Sequence, residues 1–235
     1  MVDTKPEAAF MWEMSCKTVR RTTRCLRNGV QGASVMQHIR AMALSVAVLA
    51  AMPSLHAATH FCDGFKSATD PAWGNEDGAW KIAKRTYYAT APSNAPLTYT
   101  DLVSFNALSN FTLSVTVNNV YDGGIWLRSS WNGAANGVLL VMGGAYSNYT
   151  GLYWHIVTNG VVGPPQDLAT LQGFRGSTAK IKVVAKGKTF AAYVNGSATA
   201  ATTLTDSTYT TGSAGLYDNS AAPQETFSKF CLTGH

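Results

Sequence analysis

Residues 179–196 read AKIKVVAKGKTFAAYVNG, followed by DSTYTTGSAGLYDNS at 206–220 and ETFSKFCL at 225–232. In the first stretch Ile181, Val183 and Ala185 alternate with Lys180, Lys182 and Lys186, with Val184 read as buried. Beyond Lys186-Gly187-Lys188, Phe190, Ala192 and Val194 alternate with Ala191 and Tyr193. Period-two alternation broken by a short Gly-containing turn predicts an antiparallel hairpin with one wet face. Asn195-Gly196 then marks a tight turn, since both residues tolerate positive φ.

The same alternation recurs upstream. In NFTLSVTVN at 110–118, Phe111, Leu113, Val115 and Val117 fall on one face. Residues 78–82, 87–89, 97–99, 138–142, 152–157 and 168–171 read as further short strands, and Gly163-Pro164-Pro165 as a break. About a dozen strands and no long 3.6-residue period predict an all-β chain of two packed sheets.

Residues 182–196, 206–217 and 227–230 resemble the concanavalin A-like (laminin-G-like) jelly-roll domains of secreted carbohydrate-active proteins. The likeness extends more weakly to FCDGF at 61–65, to GAWKI at 78–82 and to GGIWLRS at 123–129. It implies a two-sheet antiparallel jelly-roll sandwich over residues 58–235. It leaves function open, because that sandwich carries lectins, hydrolases, lyases and passive binding modules.

Residues 1–57 read differently. Arg40, the apolar run MALSVAVLAAM at 42–52, Pro53 and the small residues near Ala57 and Ala58 form the three parts of a secretory signal peptide. The run is too short for a spanning helix, so the expected product is exported, extracellular or periplasmic, and free of the membrane after cleavage. A basic tail with an internal apolar helix is the alternative. This leader holds 7 of the 18 Lys and Arg and 3 of the 13 Asp and Glu, so 11 basic residues face 10 acids in the remainder. The net charge of +5 therefore belongs mainly to the leader and gives no argument for a nucleic-acid partner.

Of four cysteines, Cys16 and Cys25 lie in the leader, leaving Cys62 and Cys231. The resemblance puts these in first and last strands that neighbour each other, and export favours their oxidation to a disulfide over two free thiols.

A glycan is the expected partner of a monomeric domain, bound by aromatic stacking on the concave sheet. Sugar rings offer flat C–H faces to aromatic side chains, and their hydroxyls need fixed polar partners. The candidate carbohydrate-binding residues are Trp126, Arg128, Trp131, Tyr146, Tyr149, Tyr153 and His155. If Ile125 and Leu127 face the core, Trp126 and Arg128 face outward; if Leu152, Trp154 and Ile156 face in, Tyr153 and His155 face out. The alternative is that such aromatics fill the sandwich, the reading preferred for Trp80, Phe111 and Trp154. Arg128 could equally pair with a buried acid.

Catalysis finds less support. A glycosidase needs two carboxylates about 5 to 10 Å apart, but residues 58–235 hold two glutamates, Glu76 and Glu225, both at predicted edges. A lyase needs a Tyr/His pair as base and acid, which Tyr153 and His155 on one strand face could supply. A small polysaccharide hydrolase or lyase is thus one alternative to a non-catalytic binding module, and a protein-binding or adhesive module another. No cofactor is expected, apart from a structural calcium at Asp63 or Asp218.

Overall fold

The computed structural model describes residues 59–235; the expected leader and signal peptide lie outside the described residues. The chain is all-β. Sixteen strands form two antiparallel eight-stranded sheets packed as a sandwich. Sheet A runs β14(Thr202–Thr205), β13(Thr189–Val194), β12(Ala179–Lys186), β6(Phe111–Asn118), β16(Thr226–Gly234), β4(Thr86–Ala89) and β3(Trp80–Ala83), with β1(His60–Asp63) also on β16. Sheet B runs β10(Val161–Val162), β9(Gly151–Thr158), β8(Ala135–Met142), β7(Gly123–Trp131), β15(Ser213–Tyr217), β5(Tyr99–Leu102) and β2(Trp73–Asp77), with β11(Gln166–Thr170) also on β9.

Alternation explains how the sheets meet. Leu113, Val115 and Val117 of β6, with Ile181 and Val183 of β12, turn one fully buried face of sheet A inward. Ile125, Leu127, Val138, Leu140, Leu152 and Trp154 answer from sheet B. Each such side chain contributes about 1.5–3 kcal/mol by leaving water.

The expected hairpin is β12–β13, with Lys186 opposite Thr189 across Gly187-Lys188. Val184 is a correction: it is half-buried on the outer face, level with Lys182 and Lys186, because the period-two rule holds unbroken through β12. Asn195 (φ 53°) and Gly196 (φ 78°) form the tight turn, with Ser197 N donating to Val194 O at 3.1 Å. The strand expected at 97–99 begins only at Tyr99; Thr98 instead binds back to Ser93 through backbone and hydroxyl. Cys62 and Cys231 are register partners on β1 and β16 and are joined by a disulfide.

Candidate functional site

The face of sheet B turned away from sheet A carries a second cluster, separate from the inter-sheet core. The register builds it in rows. Trp126, Leu139 and His155 lie side by side across β7, β8 and β9, and Gly124, Val141 and Tyr153 form the next row. Tyr217 of β15 pairs with Gly124. Gly124 has to lack a side chain, since a Cβ there would press on Leu140 O and on the Leu139 and Tyr217 side chains.

A depression of about 270 Å³ opens on this face, near the lower end of the range for small-molecule sites. Leu139, Val141, Tyr153 and His155 line it, with Asp122 and Tyr217. One wall is Asn94 and Leu97 of the loop between β4 and β5. The Tyr217 hydroxyl donates to Asn94 Oδ1 and holds that loop against the sheet. The opposite wall is Tyr146, 62% exposed, in the 3-10 turn Ala145–Ser147. Its ring meets Tyr153 and His155 edge-on, each with centroids 5.7 Å apart. Gly144 O anchors this turn by accepting from Ser147 N, Ser147 Oγ and Tyr149 N at 2.9–3.2 Å. A Cβ at Gly144 would collide with the Tyr153 hydroxyl and the Asp122 carboxylate.

The depression holds little charge. His155 donates Nδ1–H to Gly163 O at 2.7 Å, which leaves Nε2 as the acceptor of a neutral ring. Burial pulls its pKa below the usual histidine range, against the opposing backbone bonds. Burial also raises the Tyr153 and Tyr217 phenols, so both stay protonated donors. Asp122 is the acid at the rim; burial raises its pKa, while the 2.8 Å bond from Asn219 Nδ2 and the Arg175 charge oppose that. Behind it, burial lifts Asp218 to about 7 and fully buried Glu225 well above the usual carboxylate range.

Tyr146, Tyr153 and His155 are thus brought together, with Tyr153 and His155 facing away from the sandwich. Trp131 is half-buried, leans on Tyr99 at 5.1 Å, and lines a neighbouring cleft of about 490 Å³ that shares Asn94 and Leu97. Tyr149 stands apart, its ring 4.0 Å from the Arg175 guanidinium carbon, which also lies 3.6 Å from the Tyr121 ring. Two expectations need correction. Trp126 does face outward from sheet B, yet it is wholly buried beneath Tyr99 and Tyr217, with Nε1 3.5 Å from Thr98 O, so a sugar cannot reach it. Arg128 does not face outward. A bulge between Leu127 and Ser130, with Arg128 at φ 46°, reverses the alternation. The guanidinium lies 4.7 Å over the core ring of Phe190 and donates to Ser109 O, Gly187 O and Tyr209 O. It pairs with backbone carbonyls where an acid was the alternative.

Asp122, Tyr217 and Asn94 were not among the sequence candidates. Tyr217 was legible, since alternation from buried Leu216 puts it on the outer face. Asp122 and Asn94 sit on connections, where periodicity says nothing. Asp63, expected as a calcium ligand, accepts from Phe65 N and Trp73 Nε1, and Asp218 from Ser220 N. Among the described residues no group of three or more His, Cys, Asp or Glu could hold a metal ion, and no helix is long and apolar enough to cross a membrane.

No protein-family model matches the chain, and no curated protein matches it in sequence. Solved structures do match in fold. The carbohydrate-binding module CBM66 from Bacillus subtilis superposes with TM-score 0.50 at 14% identity, covering 70% of this chain and 92% of the module. The exoplasmic/lumenal domain of VIP36, in its Ca2+/Man3GlcNAc-bound form, gives 0.51 at 9% identity, covering 70% of this chain and 84% of that one. The β-glucanase of Bacillus licheniformis gives 0.49 at 12% identity, with 75% and 98% covered. The fold is the concanavalin A-like jelly roll.

Proposed function

We propose that this jelly roll is an exported carbohydrate-binding domain that holds a neutral sugar on the outer face of sheet B without chemical conversion. The observation that carries this reading is the 270 Å³ depression walled by the exposed Tyr146 ring, where Asn94, Tyr153 and neutral His155 offer both donors and acceptors. An exposed ring supplies a stacking surface, and the polar groups match hydroxyls without demanding a charged ligand. The names of the Bacillus subtilis module and of the sugar-bound VIP36 structure support a sugar as the ligand class. The disulfide supports an extracellular or lumenal setting, since such bonds persist where thiols oxidise. The domain acts as a monomer in this reading, with residues 1–57 removed on export and no cofactor required for the sugar.

A second reading has one observation in its favour. The Tyr153 and His155 rings stand edge-on with centroids 5.3 Å apart in the same depression, and a neutral histidine can accept a proton that a phenol replaces. A glycan array probed with the full chain, followed by product analysis of each hit, separates the two. Binding with no product over many hours supports the binding module; release of unsaturated or reducing ends overturns it in favour of the lyase or hydrolase. Absence of any glycan hit would sink both.

A further inference from the structure

The outer face of sheet A carries a groove of about 570 Å³ built from different chemistry. Lys66, Lys84, Arg85 and Lys229 line it, and no acidic residue does. Its floor is polar and already ordered. Asn118 Nδ2 on β6 donates to Thr226 Oγ1 at 3.2 Å and Ser228 Oγ at 3.3 Å on β16, with Thr86 of β4 alongside.

Three of the four cations stand where the backbone disfavours them. Ala83 pairs with Thr86, so Lys84 (φ 52°) and Arg85 (φ 64°) are the two central residues of a hairpin turn with positive φ at both. That turn favours Asn-Gly, the pair this chain places at 195–196. Lys229 (φ 52°) occupies a bulge in β16, where the register slips between Ser228 and Cys231; glycine is the usual residue for a left-handed bulge position. Left-handed backbone is costly for a long side chain and nearly free for glycine. Local folding therefore selects against a cation at all three positions, and the three side chains converge on one groove.

We infer that this groove is a second binding site, for an anionic polysaccharide bearing sulfate or carboxylate groups. The cations hold the anionic groups, and the Asn, Ser and Thr floor meets ring oxygens and hydroxyls. No large apolar side chain lines the groove for insertion into a lipid surface. The site lies on the opposite sheet from the depression beside Tyr146 and does not depend on what that depression binds.

The double variant Lys84→Asn/Arg85→Gly tests it, because it removes two charges while installing the favoured turn pair. On the full chain, affinity for dextran sulfate should fall about ten-fold and its salt dependence should flatten, while the melting temperature holds or rises. Weakened binding in a more stable protein excludes misfolding as the cause. Lys180→Gln/Lys186→Gln removes the same charge from the β12 outer face and should leave binding unchanged, with residues 1–57 contributing equally throughout. Equal losses in the two double variants would overturn the site in favour of general charge attraction. No binding of the unaltered chain to dextran sulfate at low salt, or tighter binding to duplex DNA or to anionic vesicles, would overturn it too.

Discussion

Trp126 and Arg128, two residues apart on β7, lie on opposite faces of sheet B. Regular alternation would put them on the same face; the bulge at Arg128 sends the guanidinium inward to tie the loops at Ser109, Gly187 and Tyr209. Both are therefore structural. Trp126→Ala should cost about 3–5 kcal/mol by leaving a cavity under Tyr99. Arg128→Ala should cost about 2–4 kcal/mol by stranding three carbonyls and uncovering Phe190. Urea denaturation measures both, and a change within 0.5 kcal/mol at either position (about the scatter of a surface substitution) contradicts the assignment.

Tyr146→Ala should show the reverse pattern. The ring is mostly exposed, so the melting curve should barely move, while the loss of one stacking face weakens sugar binding about ten-fold, or ~1–2 kcal/mol. Gly144→Ala should abolish binding outright by forcing Tyr153 and Asp122 apart. Isothermal titration with a glycan hit reads both; undiminished affinity in Gly144→Ala would place the ligand elsewhere.

These contrasts show how far the residues alone lead. Strand identity and the inward faces of β6 and β12 follow from local alternation, which is sequence-visible because each has one dry face, whereas β9 is buried on both. Alternation also gives the outward direction of Trp126, Tyr153 and His155. It is blind to what covers that face. The loop through Asn94 and Leu97 closes over Trp126 by contacts between distant positions, and no local pattern encodes them. The Arg128 bulge is invisible for a different reason: Leu127 pairs with Val138 and Ser130 with Asn136, and one extra residue in β7 leaves no mark on the local pattern.

Sugar affinity should depend on pH through His155. Its pKa lies below the ordinary histidine value, so the ring is neutral at pH 7 and protonates only as pH falls through the acid side of that range. Protonation turns the Nε2 acceptor into a donor. Affinity should be flat above the ordinary histidine value and decline only on its acid side, and His155→Gln should lose the decline. A titration series in which His155→Gln follows the same curve as the parent chain would exclude this group.

Folding stability should vary in the opposite sense. Asp218, at about 7, and Glu225 hold protons more tightly folded than unfolded, so their contribution is full below about pH 4 and is withdrawn as pH rises through 7. Asp218→Asn should remove up to about 4 kcal/mol of that decline. Glu225→Gln keeps an acceptor for the Tyr121 and Gly123 amides and should stabilise increasingly as pH rises. Denaturant midpoints across pH 4 to 8 that are equal for parent and variants would refute the account.

Reduction of the Cys62–Cys231 bond releases a loop of sequence separation 169 and should lower stability by about 5 kcal/mol on the chain-entropy account. Melting with and without reductant reads this directly; coincident curves would mean the bridge constrains nothing.

The bridge also decides how the domain would bear mechanical load. Tension applied on either side of Cys62 and Cys231 passes through a covalent link between adjacent strands and bypasses both sheets. In an oxidising medium a pull from outside Cys62 and Cys231 cannot unravel the sandwich, because the bridge carries the load. Under a reducing agent the same pull would peel β16 from β6 and release the whole contour length. The domain is built as a clasp: a pull on both sides of the bridge leaves its two faces intact.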